Sequence, residues 1–343
     1  MNIVKDRINR ILIIRLSSIG DVLHASPVAN ILRTHFPTAH IAWVVETKSA
    51  EVIQGNSNLD EVVIWPRKEW RAEAKKTKNL YRLLKRNRTF LHQLKKQKFD
   101  LVLDLQGMSR SALVSLHSGA LYRACLSDAR EMSSLFYNIE VKLGEPRSVQ
   151  EKYASIMKCL DIDYTHMLQM EMPITPPDHL FADELLKQYN LAEGQFIIFV
   201  PSTSNALKSW PGQYFAKLGE NIGEKFGCPI VILGGPGDTE ISRTILVGMN
   251  CKGIDLTGLL TLKQVGALMK RCGLVVSGDT GPLYIAEAVG ASTVSLFGPT
   301  KPEYYGPKGA GHISLRSDDH KTGSILPDQV FQAIEKIFCV PRQ

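Results

Sequence analysis

The feature that most constrains the fold is an alternation of strand-like and helix-like segments that runs along the chain twice. Short apolar runs rich in β-branched residues are separated by longer helix-like stretches, and the pattern restarts in the second half. Such an alternation predicts parallel sheets whose strands are joined by crossover helices, an α/β fold. Predicted strands lie at 11–16, 41–45, 62–65 and 101–105 in the first half, and at 196–200, 230–233, 254–256, 274–277 and 293–297 in the second.

A polar, proline-containing passage separates the two halves and sets the predicted domain boundary. It reads MPITPPD at 172–178, which is typical of a linker. A chain of 343 residues also exceeds the size that one hydrophobic core usually reaches. We predict an N-terminal domain at 1–172, a second domain at 173–325 and a C-terminal helix within 326–343, whose docking place the sequence does not show.

Composition excludes several classes of protein. Hydrophobic residues at 44% and charged residues at 22% are ordinary for a globular protein. The apolar runs fall far short of the roughly 18 residues that a membrane-spanning helix needs, and the first residues lack the pattern of a signal peptide. The six cysteines form no C-x-x-C pair and the nine histidines are dispersed, so we expect reduced thiols and no metal site. These features predict a cytoplasmic protein.

Positive charge is concentrated in residues 67–98. This stretch holds 13 Lys and Arg against two Glu, a net charge of +11, so the rest of a chain that is +7 overall is net −4. Such a patch attracts nucleic acid, lipid headgroups or a charged small substrate, and its sign does not choose among them. The alternative is a solvated helix face, although such faces usually interleave Glu with Lys. We expect a surface that faces an anionic partner.

The turn after the first predicted strand carries a candidate acid–base residue. The strand at 11–16 is followed by the sequence SSIGD and then by a helix. Ligands of parallel sheets bind where strands end and helices begin. Asp21 is therefore either a general base in such a crevice or a helix cap that accepts backbone N–H bonds, and the pattern alone leaves both interpretations open.

Two turns in the second half suit a phosphate group. After 196–200 the sequence PSTSNALKSWP offers hydroxyls and Lys208, which fit a diphosphate, although a plain solvent loop is an equal alternative. After 274–277 the sequence GDTGP places the amides of Thr280 and Gly281 at the start of a helix. The positive end of that helix favours an anion, and the alternative is a capped helix without a ligand.

A glycine-rich segment at 234–238 does not form a nucleotide fingerprint. It reads GGPGD rather than G-x-G-x-x-G, and no G-x-x-x-x-G-K occurs in the chain. The dinucleotide-binding and P-loop motifs are therefore absent from the sequence. Glu240, which follows the segment, either holds ribose hydroxyls or faces solvent.

Several of these segments together resemble the bacterial lipopolysaccharide heptosyltransferases of glycosyltransferase family 9. The resemblance runs nearly end to end, and the combination is specific although no single segment is. WVVE together with AREMSSLFYN is most similar to heptosyltransferase I. The segments are ILIIRLSSIGDVLH (11–24), WVVE (43–46), DLQGMSRSAL (104–113), AREMSSLFYN (129–138), STSNALKSWP (202–211), LGGPGDTE (233–240), SGDTGPLYIAEAVG (277–290) and SLFGPT (295–300).

The resemblance implies the GT-B architecture, in which two Rossmann-like domains face a central cleft. It also implies an inverting, metal-independent transfer of L-glycero-D-manno-heptose from ADP-heptose to the Kdo region of the lipopolysaccharide inner core, without a cofactor. Asp21 would be the catalytic base, Glu240 would hold the adenosine ribose, and Asp279 would contact the heptose. Thr203 and Lys208 would contact the diphosphate. The full set of implied donor-binding residues is Ser202, Thr203, Lys208, Glu240, Asp279, Thr280, Gly281 and Tyr284.

The same resemblance gives the basic stretch a purpose, because Kdo carboxylates and lipid A phosphates are anionic. Arg67, Lys68, Arg71 and Arg130 are predicted to face a Kdo–lipid A acceptor. We expect a monomer, peripheral at the inner face of the cytoplasmic membrane, that binds no nucleic acid. Tyr284 stands where the family usually has His, which puts a cationic role there in doubt.

Two other functions remain open at this point. One is a heptosyltransferase that acts on a different core acceptor. The other is a non-catalytic protein that binds an anionic surface, either nucleic acid or lipid.

Overall fold

The computed structural model describes residues 3–203 and 206–338, and it divides into two units between Glu171 and Met172. The N-terminal unit is built on a sheet of six parallel strands in the described residues. Their order is β3-β2-β1-β4-β5-β6, which is the strand order of a Rossmann fold. The strands are β1 (Arg10–Ile14), β2 (His40–Val45), β3 (Glu61–Ile64), β4 (Leu101–Asp104), β5 (Tyr122–Leu126) and β6 (Ile139–Val141).

The helices of the N-terminal unit connect these strands as crossovers. Pro27 divides the first crossover into two helices, since proline is favoured at the start of a helix and disfavoured within one. The helices are α1 (Ile19–Ala25), α2 (Pro27–His35), α3 (Thr47–Ala50), α4 (Arg67–Thr77), α5 (Leu80–Lys96), α6 (Ser109–His117) and α7 (Val149–Ala154), with 3-10 segments at Lys5–Arg7, Ser133–Phe136 and Ser155–Leu160.

The C-terminal unit repeats the same architecture. Its described residues form a second parallel sheet in the order β12-β11-β10-β7-β8-β9, which is again the winding of a Rossmann fold. The strands are β7 (Ile197–Val200), β8 (Ile230–Ile232), β9 (Gly253–Asp255), β10 (Leu274–Gly278), β11 (Thr293–Phe297) and β12 (His312–Arg316).

The terminal helix packs within this second unit. It lies against the long helix that follows β7, and its Val330 and Ile334 are fully buried in a core that includes Phe199 and Phe215. This places the element whose docking site the sequence left undefined. The helices are α8 (Pro176–Tyr189), α9 (Gly212–Phe226), α10 (Thr239–Gly248), α11 (Leu262–Met269), α12 (Gly281–Ala288), α13 (Pro302–Tyr305) and α14 (Pro327–Ile337), with 3-10 segments at Ala206–Lys208 and Thr322–Ser324.

The predicted fold class, α/β with two Rossmann-like parallel sheets, is confirmed. Every predicted strand is present within about two residues of its expected bounds, and β5, β6 and β12 are additions that the sequence did not reveal. The basic stretch forms two helices, because Lys78 adopts a left-handed conformation (φ 51°) that ends α4. In the described part of the chain, no helix is long and apolar enough to cross a membrane.

Candidate active site

Asp21 lies in the first turn of α1, directly after β1 ends at the carboxyl edge of the first sheet. Its Oδ2 is 2.8 Å from an Arg15 guanidinium nitrogen and accepts hydrogen bonds from the Ser18 amide (3.2 Å) and hydroxyl (3.0 Å). Within the described residues, Oδ1 accepts one hydrogen bond, from the Tyr153 hydroxyl at 2.9 Å. The side chain is 35% exposed. Asp21 thus fills a capping role and still presents an accessible carboxylate oxygen.

The surroundings of Asp21 keep it ionised. Burial by itself raises the pKa of this carboxyl, but the Arg15 charge and the hydrogen bonds from Ser18 and Tyr153 outweigh burial and lower the pKa below its usual value. The Arg15 guanidinium also lies 4.8 Å from the centre of the Tyr153 ring, so both partners of the carboxylate are held together. The predicted base is therefore deprotonated at neutral pH.

The loop after β4 fixes the segment that carries Arg15. Arg15 donates to the Leu105 carbonyl (2.7 Å), and the side-chain oxygen of Gln106 accepts from the Leu16 amide (3.1 Å). Trp43, buried in β2, donates to the Arg15 carbonyl at 3.1 Å. These contacts give a structural role to two motifs, WVVE and DLQG, whose residues the sequence analysis left without one.

Asp104 anchors this loop in turn. It is fully buried at the end of β4, and it accepts hydrogen bonds from the amides of Gln106 and Gly107 and from the Tyr137 hydroxyl (2.6 Å). Burial raises the pKa of Asp104, although these donors oppose the shift. Gly107 has φ +61°, and a Cβ there would lie 3.2 Å from the Ala129 backbone, so glycine fits both its conformation and its surroundings.

The predicted acceptor residues fall into a paired group and an exposed group. Arg67 and Lys68 bind the two oxygens of Glu46, at 2.8 and 2.7 Å, and the Glu46 side chain is only 4% exposed. Burial raises the pKa of Glu46, but the two cations outweigh it and lower the pKa overall. Arg71 and Arg130 are exposed. Glu46, which ends the WVVE motif, therefore holds the start of α4 at the carboxyl edge of the sheet.

In the C-terminal unit, Asp279 forms the centre of a buried polar cluster. Its Oδ2 is 2.6 Å from the Lys208 ammonium and accepts from the Thr300 hydroxyl (2.7 Å), while its Oδ1 accepts from the Tyr284 hydroxyl (2.5 Å). The Asp279 side chain is 6% exposed and that of Lys208 is 23% exposed. Burial raises the pKa of Asp279, but Lys208, Thr300 and Tyr284 together lower it. The cluster joins three predicted donor residues to one, Thr300, that was not predicted.

The backbone around this cluster approaches closely. A Cβ on Gly278 would lie 2.9 Å from the Thr203 methyl and 3.1 Å from the Lys208 carbonyl, so glycine lets the loop after β7 pack on the end of β10. Thr280 is the N-cap of α12 and Gly281 is its first residue. The amides that begin α12 therefore lie beside the Lys208 cation, as an anion site requires.

The remaining predicted donor residues are less closely associated with this cluster. Ser202 donates to Asp238 (2.6 Å), whose other oxygen accepts from the Gly235 amide (2.7 Å), so Ser202 joins two neighbouring loops. Thr203 shares a hydrogen bond with the Ser209 hydroxyl at 2.9 Å. Glu240 lies in the first turn of α10 and is exposed.

Metal-ligating side chains do not cluster in the part of the chain that the structure describes. Within residues 3–203 and 206–338, no group of three or more His, Cys, Asp or Glu side chains could hold a metal ion.

Comparison with known proteins identifies the family of this chain. Residues 87–326 match the model of glycosyltransferase family 9 (heptosyltransferase), which covers well over half of the chain. The chain belongs to this family. The predicted family and enzyme class, a glycosyltransferase, are therefore confirmed.

This family 9 glycosyltransferase is also similar to individual members of the family. Lipopolysaccharide heptosyltransferase 1 of Pseudomonas aeruginosa is 27% identical over 315 residues, which are 90% of this chain and 84% of that protein. A family 9 glycosyl transferase from Veillonella parvula superposes with a TM-score of 0.83 at 23% identity and covers 96% of this chain and 97% of its own. E. coli heptosyltransferase WaaC with ADP gives a TM-score of 0.76 at 24% identity, covering 95% and 99%. These structural likenesses confirm the predicted GT-B fold.

Proposed function

We propose that this family 9 glycosyltransferase transfers L-glycero-D-manno-heptose from ADP-heptose to the Kdo region of the lipopolysaccharide inner core. The observation that carries the proposal is Asp21, an ionised and accessible carboxylate at the carboxyl edge of the first sheet in a chain of the heptosyltransferase family. Similar proteins from several bacteria bear the name lipopolysaccharide heptosyltransferase 1.

In this proposal Asp21 is the general base. Its Oδ1 takes the proton of an acceptor hydroxyl as that oxygen attacks the anomeric carbon of the donor, and ADP leaves from the opposite face, so that the configuration inverts. Arg15 and the Ser18 hydroxyl hold Oδ2, and Tyr153 orients Oδ1. The geometry suits this role because the carboxylate is fixed by its partners but still 35% exposed.

The leaving diphosphate is stabilised by the C-terminal unit. The Lys208 ammonium carries three N–H donors, and its ion pair with Asp279 leaves donors for a phosphate oxygen. The first amides of α12, at Thr280 and Gly281, supply further positive potential without a metal. Asp279 then contacts the heptose and Glu240 holds the adenosine ribose, as the family resemblance implies.

The acceptor is held by the basic face of the N-terminal unit. Arg67 and Lys68 share one carboxylate, Glu46, so the three groups keep a net positive charge toward the carboxylates and phosphates of Kdo–lipid A. Arg71 and Arg130 are exposed, and in this proposal they contact the same ligand. We propose that the enzyme acts as a monomer at the cytoplasmic face of the inner membrane, where such an acceptor is presented.

The test is mass spectrometry of the products after incubation with ADP-heptose and Kdo–lipid A, with and without EDTA. We expect the mass of one added heptose, the same yield in EDTA, and no product from Asp21→Ala. Transfer only to a Kdo–lipid A that already bears heptose would assign the chain to a different core acceptor. Loss of product in EDTA that returns with a divalent cation would refute the metal-independent mechanism, and no transfer to any core acceptor would refute the function.

A further inference from the structure

The hairpin of α4 and α5, residues 67–96, is the most solvent-exposed helical part of the N-terminal unit. α4 buries none of its side chains, and α5 buries only Phe90 and Leu94, which face the sheet. The hairpin therefore contributes little to the core for its length. Its exposed surface is available for another purpose.

Charge on the hairpin is strongly one-sided. It carries 12 Lys and Arg and two Glu. One of these acids, Glu73, is bound by Arg82 and Arg86, so its charge is already compensated within the hairpin. Most of the basic side chains remain available to an external anion.

Large apolar side chains interrupt this basic surface at the start of α5. Leu80, Tyr81 and Leu84 are 63%, 75% and 61% exposed within a little more than one helical turn. The exposed large apolar side chains of the C-terminal unit, such as Leu180 and Val247, instead lie far apart in the sequence. Single exposed apolar residues are ordinary, whereas a group of three on a basic helix marks an interaction surface.

An open groove of about 510 Å³ lies between the two helices. Its apolar wall is formed by Ile64, Trp70 and Phe90, and basic side chains from α5, including Arg82 and Arg86, border it. The groove thus combines a surface for alkyl chains with cations for a phosphate. Such a groove suits an amphiphilic ligand better than a purely charged one.

The position of the exposed group relates it to Asp21. Trp65, just past the end of β3, stacks on Phe90 at 5.4 Å, and α5 runs back toward the start of β4. The ten residues from Leu80 to Phe90 span about 15 Å along α5, at 1.5 Å per residue. Asp21 lies at the carboxyl edge of the sheet. The hairpin thus begins at the same edge of the sheet as the candidate base, since α4 follows the end of β3.

We propose that the α4–α5 hairpin docks this protein on an anionic phospholipid bilayer. Leu80, Tyr81 and Leu84 enter the interface between headgroups and acyl chains, while the surrounding Lys and Arg bind lipid phosphates. A bilayer uses both the apolar group and the charge, whereas nucleic acid would use the charge and stacked aromatics but not two exposed leucines. The inference deepens the proposed function, on which it rests for the lipid nature of the acceptor.

The experiment is co-sedimentation with vesicles of phosphatidylglycerol and phosphatidylethanolamine, compared with phosphatidylcholine vesicles. We expect the protein to bind the anionic vesicles and to be released by salt. The variant L80S/Y81S/L84S should lower the partition coefficient roughly tenfold or more, because it removes the buried apolar area. The control, L180S/V247S, changes two apolar side chains of at least similar exposure in the other unit, 64% and 82%, and should bind like the wild type.

A charge variant tests the contribution of the basic side chains to vesicle binding. K75Q/K76Q should lower the partition coefficient roughly fivefold for each basic residue removed. Both variants should keep the wild-type rate of heptose transfer to a deacylated, water-soluble acceptor, since none of these side chains belongs to the candidate active site. Thermal unfolding of each variant verifies that it folds.

Three outcomes would overturn the inference: no binding of the wild type to anionic vesicles, equal binding by the wild type and L80S/Y81S/L84S, or release from vesicles by RNA that the same variant binds unchanged. A folded L80S/Y81S/L84S that loses transfer to the soluble acceptor would also overturn it, because the side chains would then act in the reaction. If docking holds while the wild type transfers no heptose, the proposed function fails and the docking surface stands.

Discussion

Asp21 and Asp279 each follow a central strand of their own sheet, β1 and β10, and they differ in what surrounds them. Each follows the central region of a parallel sheet and lies at or just before the start of a helix. Asp21 is 35% exposed, and a single donor from the described residues reaches its Oδ1. Asp279 is 6% exposed, and both of its oxygens accept strong hydrogen bonds, one of them from the Lys208 ammonium.

The difference shows how two carboxylates at the ends of central strands serve two purposes. Burial raises the pKa of each carboxyl, and stronger opposing interactions lower both, so both are ionised at neutral pH. Only the exposed one can accept a proton from a substrate. The buried one holds the Lys208 cation in place for the donor. Exposure, rather than strand and helix position, separates a base from an anchor.

Removing the cation should produce the largest change in the C-terminal unit. Lys208→Ala leaves the diphosphate without its ammonium, and we expect kcat for heptose transfer to fall roughly 10²–10³-fold. Steady-state assays with ADP-heptose measure this effect. Lys217→Ala, which removes an exposed lysine paired with Glu220 three residues on, is the matched control and should leave kcat unchanged. A kcat for Lys208→Ala within a few-fold of the wild type would show that the buried cluster is only structural.

Neutralising the anchor should affect stability more than chemistry. Asp279→Asn leaves the Lys208 ammonium without its carboxylate, and we expect the free energy of unfolding to fall by about 3 kcal/mol at neutral pH. A carboxyl whose folded pKa is lowered stabilises the protein above its unfolded pKa, near 3.8, and loses that contribution as pH falls through the folded value.

Denaturant unfolding across pH checks this prediction. The difference between the wild type and Asp279→Asn should be full at neutral pH and should shrink below about pH 4. A difference that stays constant down to pH 3 would contradict the ion pair as its source.

The donors around Asp21 should control its titration. Tyr153→Phe removes the hydrogen bond to Oδ1, which helps to keep the pKa low, so the acid limb of the kcat profile should move to higher pH. We expect kcat at neutral pH to fall only about fivefold, the value of one hydrogen bond. Tyr164→Phe alters another buried tyrosine of the same unit and is the control. An acid limb that does not move would mean that Tyr153 only fills space.

The smallest change should come from the residue that departs from the family. Tyr284→His restores the usual histidine, and an imidazole N–H can still donate to Asp279, so we expect kcat to remain within about threefold of the wild type. Tyr284→Phe removes the donor and should cost about 1 kcal/mol of stability. A gain in kcat of tenfold or more for Tyr284→His would show that the position acts through a positive charge.

Sequence patterns predicted nine of the described strands, including the edge strands β3 and β9, and missed β5, β6 and β12. β5 lies inside its sheet, but Arg123 interrupts its sequence YRACL. β1, β4, β7 and β10 are buried on both faces and read as continuous apolar runs. β6 and β12 lie at sheet edges, where burial is partial, and their sequences IEV and HISLR carry little signal.

The sequence predicted charged groups of the candidate site, but it did not predict the residues that contact them. Asp21 and Lys208 stand out because a polar residue follows a buried strand. Arg15, Tyr153 and Glu46 were missed. Tyr153 lies 132 positions from Asp21, and no local pattern reports such a pair. One available signal was overlooked: Glu46 and Asp104 both end or directly follow buried strands, as Asp21 does.

A single-turnover measurement on Asp21→Asn, with saturating ADP-heptose and a deacylated acceptor, tests the central claim most directly. The substitution keeps the size of the side chain and removes its ability to take a proton. We predict that the rate of heptose transfer falls roughly 10³-fold while the affinity for ADP stays within threefold of the wild type. A transfer rate within tenfold of the wild type, with ADP binding intact, would contradict the assignment of Asp21 as the base.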